Sequence, residues 1–293
     1  MVPVSLFIWL VGELSAYAAL AHFGLGTPWP TAGLAAVGAL FGLRAGINAV
    51  TWAYALAYPG AAPALGLGRR TAMILGEYLA FLALFVAIVP LERLWMSPDR
   101  LRPCRRPLIL VHGYGCSRGA WWWLRQRLEA AGHVVATVSL APPNASIGKL
   151  EPQLHQRIEE VCAATGADRV VLVGHSMGGL VCRCYLTRHG NARVAGMVTI
   201  ASPHRGSEMA RIALGQNARE LEPGSRWLQD QAREPVTVPA VAICNRHDNY
   251  VMPPESQSLE GAETIDLDGI GHLALLYSSR AALAVLAAVG APE

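Results

Sequence analysis

The 293-residue chain predicts an α/β fold, a mostly parallel sheet with helices on both faces, preceded by a helical transmembrane region. Three observations predict it. Charged residues are sparse up to position 90 and frequent afterwards. Apolar runs of bilayer length fill that first part. From residue 107 onward, short apolar strand signals alternate with helix-spaced segments. The chain is 53% hydrophobic with a formal charge of +3, and its mean hydropathy of +0.31 is high for a water-soluble globule. Basic residues form no run interleaved with aromatics, so nothing points to nucleic acid as a partner.

In the first part the Asp, Glu, Lys and Arg residues are Glu13, Arg44, Arg69, Arg70 and Glu77. Apolar runs at 2–23, 32–57 and 72–89 each approach the roughly 20 helical residues that cross a bilayer core. Gly and Pro between them punctuate the helices. No basic residue precedes the first run, which argues against a cleaved signal peptide. The expected division falls near residue 95, with a membrane region of about three helices at 1–95 and an α/β domain at 96–293. Glu13, Arg44, Asn48 and Glu77 would sit within or near the spans. Such groups are costly in lipid and are expected to face one another or a polar interior, fixing helix packing. Arg69 and Arg70 favour a cytoplasmic loop between the second and third runs, which would leave the α/β domain outside. Arg93, Arg100, Arg102, Arg105 and Arg106 argue the other way. Large domains cross despite their charge, and the balance leans to an external, periplasmic domain.

Further along, strands are expected at 107–111, 133–140, 169–173, 194–201, 238–244 and 263–267. Helices are expected at 120–131, 150–164, 180–186 and 279–289. Residues 208–234 are long enough to form a small cap. The cysteines (Cys104, Cys116, Cys162, Cys182, Cys184, Cys244) show no metal-binding spacing and read as buried thiols.

Between strand 169–173 and the following helix lies Gly174-His175-Ser176-Met177-Gly178. This G-x-S-x-G pattern in a strand–turn–helix context presents a serine hydroxyl at the carboxyl edge of the sheet. A serine nucleophile needs a base, an acid that orients the base, and N–H donors for the developing oxyanion. In chain order Ser, acid, His, the base is His272 in Gly271-His272-Leu273, after the last strand. His112 and His175 lie inside motifs whose backbone does the work. His22 falls in the apolar part, His133, His155 and His189 within or at the ends of other elements, and His204 and His247 before or beside the acid. The acid is Asp248, after strand 238–244. Asp266 and Asp268 are rivals, placed in or right after the final strand. The oxyanion donors are the N–H groups of Tyr114 and Met177. Trp121-Trp122-Trp123 either lines an acyl pocket, rests at a membrane interface or packs in a helix core.

These residues together resemble bacterial lipases of the α/β-hydrolase superfamily, most closely the small, lid-poor Bacillus type. The matching pieces are Val111-His112-Gly113-Tyr114-Gly115, Gly174-His175-Ser176-Met177-Gly178-Gly179, Asp248-Asn249-Tyr250-Val251-Met252 and Gly271-His272-Leu273-Ala274-Leu275-Leu276-Tyr277-Ser278-Ser279. The resemblance spans about residues 105–290. It departs at Gly174, where the Bacillus type has alanine. Ser202-Pro203-His204-Arg205-Gly206-Ser207 is closer to larger proteobacterial lipases, whose calcium ligand beyond the histidine has no counterpart in Leu273-Ala274-Leu275. The resemblance implies a serine lipase or esterase without metal or other cofactor, acting on acyl esters or lipids. Combined with the apolar part, it implies a multi-pass protein of the bacterial inner membrane. An acyltransferase using the same acyl-enzyme, a non-catalytic membrane protein with a hydrolase-like binding domain, and a peptidase are the alternatives.

Overall fold

The computed structural model describes residues 2–292. The first part forms three helices: α1 (Val2–Ala19, continued by a wider turn at Leu20–Gly24), α2 (Trp29–Ala57) and α3 (Leu67–Leu82, continued by Ala83–Ile88). All three are long and apolar enough to cross a membrane, with spans of 23, 29 and 22 residues. Pro28 and Pro30 bracket the start of α2, where a missing N–H costs nothing because first-turn donors lack helical acceptors. α1 and α2 pair through Ala32, Ala36 and Leu40, which are buried. Their far end is open, and Leu20, Phe23, Leu25 and Leu34 are each at least 65% exposed.

A short helix α4 (Glu92–Trp95) leads into a six-stranded parallel sheet. Its strands are β1 (Leu108–Val111), β2 (Val135–Val138), β3 (Val170–His175), β4 (Val194–Ile200), β5 (Ala240–Asn245) and β6 (Glu263–Leu267), in the order β2-β1-β3-β4-β5-β6. The helices are α5 (Trp122–Ala130), α6 (Ile147–Thr165), α7 (Met177–His189), α8 (Gln216–Glu220), α9 (Arg226–Ala232) and α10 (Ser279–Val289). β1 to β4 are buried nearly end to end, as expected of strands covered on both faces. One core joins α6 and α7 to the sheet through Leu154, Ile158, Leu180, Val181 and Leu172. The other joins α5 and α10 through Leu124, Leu128, Val285, Leu110 and Val173.

That second core also contains Ala80, Leu84 and Val89. The last turns of α3 and the residue after it therefore pack with the sheet, and the expected division near residue 95 falls inside this packing. Contact continues along the whole of α3. At its start Arg69 pairs with Asp268 at 3.4 Å, and at its middle Glu77 reaches Leu273 and Ala274. Just past its end, Glu92 bonds Ser117 and Gly119.

The polar residues of the helices meet different partners, and one interhelical pair of the expected kind is among them. Glu13 and Arg44 make a bidentate pair between α1 and α2, with Nη2–Oε2 at 2.6 Å, and Tyr17 donates to the same carboxylate at 2.9 Å. Asn48 accepts from the Trp52 indole at 3.1 Å. Glu77 turns away from all of them, towards the sheet-bearing half. Hydropathy records how many charges a span contains but not which neighbour they meet.

Candidate active site

Ser176 sits at the carboxyl end of β3, immediately before α7. Its backbone is at φ 54°, ψ −128°, a conformation that costs a non-glycine residue energy and persists where the surroundings impose it. The surroundings do so through close approach. A Cβ on Gly178 would lie 2.1 Å from the Val111 carbonyl, and one on Gly174 would lie 2.5 Å from the Gly179 nitrogen. Glycine at both places lets strand, turn and helix crowd together. The Ser176 N–H donates to the Ile200 carbonyl at 2.9 Å, which ties the turn to β4.

The loop after β1 lies against this turn. A Cβ on Gly113 would sit 2.9 Å from Ser176 Cβ and 3.4 Å from its Oγ, so Tyr114 follows directly beside the serine. Met177 N–H belongs to the first turn of α7 and has no helical acceptor. Neither it nor the Tyr114 N–H donates to another group among the described residues. His112 fixes the loop. Leu140 N–H donates to its Nε2 at 2.9 Å, so the proton is on Nδ1, which donates to the Gly113 carbonyl at 2.8 Å. Burial depresses the His112 pKa to about 4, keeping the ring neutral for this double role.

His272 and Asp248 come together. His272 Nδ1 lies 2.8 Å from Asp248 Oδ2, and both residues are buried. The other oxygen of Asp248 accepts from Tyr250 N–H at 2.7 Å and Val251 N–H at 2.8 Å. The carboxylate is thus held by its own loop and directs one oxygen at the ring. Burial alone would lower the His272 pKa. The charge and hydrogen bond of Asp248, with the charge of Glu77 added, outweigh it and raise the pKa above the ordinary 6.5. His175, next to the serine, packs its ring 4.7 Å from that of His272 and donates to the His272 carbonyl at 3.3 Å. Among the described residues no hydrogen bond joins Ser176 Oγ to the imidazole; such bonds are often long before substrate binds. The rival acids are engaged elsewhere, Asp266 with Arg246 at 3.5 Å and Asp268 with Arg280 at 3.0 Å.

Several contributors escaped the sequence reading. Ser207, after β4, accepts from Met252 N–H at 3.1 Å and donates to the Tyr250 carbonyl, bracing the acid loop. The 208–234 segment forms short helical pieces, and the Leu214 carbonyl within it receives the Tyr114 hydroxyl. The three tryptophans have separate fates. Trp121 is fully buried in the core, Trp122 packs edge-on against Trp95, and Trp123 carries the Arg127 guanidinium 3.3 Å over its ring.

Residues 106–238 match the family model of the alpha/beta hydrolase fold. The chain carries an α/β-hydrolase fold. A triacylglycerol lipase of Burkholderia plantarii is 37% identical over 123 residues, 39% of this chain and 34% of that protein. A triacylglycerol lipase of Pseudarthrobacter phenanthrenivorans is 38% identical over 120 residues, 38% of this chain and 37% of that protein. The chain thus spans about a third of the length of these curated relatives. Among solved structures, the mature lipase BlEst2 of Bacillus licheniformis superposes with a TM-score of 0.54 at 17% identity, over 62% of this chain and 91% of that one. Aspergillus fumigatus lipase B gives 0.57 at 18% identity, over 64% and 53%. At such identities these two likenesses concern the fold alone.

Proposed function

We propose that this α/β-hydrolase is a membrane-anchored serine hydrolase that cleaves carboxylic esters of acyl or lipid type through an acyl-enzyme. The observation that carries the reading is the buried His272–Asp248 pair, whose imidazole packs on His175, the residue before a serine in a strained strand-to-helix turn. Ser176 attacks the ester carbonyl and His272 Nε2 takes its proton. The same imidazole returns the proton to the leaving alkoxide, and water then repeats the sequence to release the acid. Asp248 holds the tautomer with Nδ1 protonated and offsets the charge of the imidazolium. The N–H groups of Tyr114 and Met177 meet the oxyanion, each worth about 3 kcal/mol in such sites. The triacylglycerol lipase names among the relatives favour esters over amides as substrate.

Residues 1–95 act as the anchor, and within them the α1–α2 hairpin carries the exposed apolar tip, with Leu20, Phe23, Leu25 and Leu34 open among the described residues. At 1.5 Å per residue its 23- and 29-residue spans reach about 35 and 43 Å, enough for a bilayer core of roughly 30 Å. Both groups of arginines that seemed opposed in sequence lie against the sheet-bearing domain. The 61–69 loop touches Arg246 and Asp268 of the hydrolase, and the 93–106 arginines flank the start of the same domain. The hairpin tip at 24–30 has none. The positive-inside rule then favours a cytoplasmic hydrolase, the reverse of the leaning from sequence.

Ser176→Ala in the full-length chain is expected to abolish fluorophosphonate labelling and to lower hydrolysis of p-nitrophenyl esters by at least about 10⁴-fold. Retention of either would remove the serine from the reaction. Product analysis with a competing alcohol separates hydrolysis from acyl transfer.

A further inference from the structure

Apart from the charge it adds near His272, Glu77 has no part in the chemistry above, yet it is fully buried against the loop that carries His272. Both its oxygens lie 3.0 Å from Leu273 N, and Oε2 lies 2.9 Å from Ala274 N. These N–H groups open the 3-10 turn Ala274–Tyr277, where backbone donors lack acceptors of their own, and a carboxylate is a strong substitute. On the other side of the histidine, a Cβ on Gly271 would lie 2.3 Å from Glu77 Oε2 and 2.6 Å from Glu77 Cβ. Only glycine lets α3 approach so closely.

The histidine's own N–H is held from α2. It donates to Asn249 Oδ1 at 3.1 Å, and Asn249 Nδ2 donates to Thr51 Oγ1 at 2.7 Å. Thr51 in turn donates to the Asn48 carbonyl at 2.8 Å. The loop is therefore gripped on both sides of the imidazole by two helices of the apolar part. Imidazole placement is set by the backbone of residues 271–274, because Asp248 fixes the ring only from its Nδ1 side.

We propose that Glu77 is a positioning residue for His272, seconded by Thr51 acting through Asn249. α3 is then a working part of the hydrolase and not a passive span. This rests on Ser176, His272 and Asp248 being the reacting groups. Without the carboxylate the loop relaxes, Nε2 drifts from Ser176, and proton transfer slows while substrate binding is preserved.

The test uses the full chain in detergent with p-nitrophenyl butyrate, and kcat is expressed per site titrated to completion with fluorophosphonate. Glu77→Gln keeps the volume but replaces one acceptor with an amide that cannot receive an N–H. It is expected to lower kcat per titrated site by about 10²-fold with KM unchanged, the scale of a misplacement near 1 Å. Thr51→Val should show the same split, more weakly. A wild-type kcat per titrated site in Glu77→Gln, or a loss residing in KM, overturns the proposal. If that variant yields no titratable sites, Thr51→Val decides by the same two criteria. An active Ser176→Ala would instead sink the reaction assignment itself. An inactive Ser176→Ala beside a fully active Glu77→Gln sinks this inference alone.

Discussion

The α1–α2 hairpin and α3 are built from the same apolar residue types, yet each buries a carboxylate for a different end. Glu13 meets Arg44 within the hairpin, and the pair closes on itself. Glu77 meets backbone N–H groups of the hydrolase, 196 and 197 residues further on. The hairpin keeps its large apolar side chains exposed towards the tip, whereas α3 sends Ala80 and Leu84 into a core shared with β1, β3 and β4. A charge in an apolar helix can thus hold helices to each other or hold a helix to an active site. Composition does not separate the two uses; the partner does.

The comparison can be broken in three ways. The largest effect is expected at Asp248, on the hydrolase side. Asp248→Asn should lower kcat/KM by about 10⁴-fold, because the amide no longer selects the productive tautomer. The proposed reaction needs a neutral His272 imidazole, whose pKa is raised, so kcat/KM should fall as pH drops through a value above 6.5. In Asp248→Asn the residual activity should persist to lower pH, since the two largest influences that raise that pKa, the Asp248 charge and its hydrogen bond, are gone and only the Glu77 charge remains. An unmoved acid limb would mean that another group titrates there.

Next comes the hairpin. Arg44→Ala leaves Glu13 buried without its partner, and such a break costs about 3–5 kcal/mol. The loss should appear in thermal melting of the detergent-solubilised chain, with kcat per titrated site unchanged. A parallel fall in kcat would show that the Glu13–Arg44 pair, and not Thr51 alone, couples the hairpin to the reaction. The smallest effect is one of access. A membrane-impermeant fluorophosphonate should label the enzyme only after cells are opened. Labelling of intact cells would return the hydrolase to the external side.

Much of the hydrolase half was legible before any coordinates. Glu263–Leu267 and Ser279–Val289 lie where their apolar patterns put them. The other expected strands and helices match in identity and order, with ends shifted by a few residues. The turn at Ser176 was legible because glycines at 174 and 178 mark it, although only the contact at Gly174 is local and the atom Gly178 avoids is the Val111 carbonyl on β1. Asp248 follows β5 whereas Asp266 lies in β6 and Asp268 directly after it; all three precede His272, and it was the lipase-like run at 248–252 that set Asp248 apart. Gly271 was legible as part of a motif, but the reason for it was not, because the atom it avoids belongs to α3.

By itself the sequence determined the elements, the turn that strains Ser176 and the presence of bilayer-length apolar helices. Those follow from side-chain periodicity and from a glycine pattern that marks the turn whatever segment crowds it. Only the tertiary structure decided that α3 packs along the sheet-bearing half, that Glu77 and Thr51 reach the His272 loop, and that Trp121 is fully buried while Trp123 packs against the core's edge. Each of those depends on which surfaces meet when distant segments bury their apolar faces together, and no local pattern records the partner.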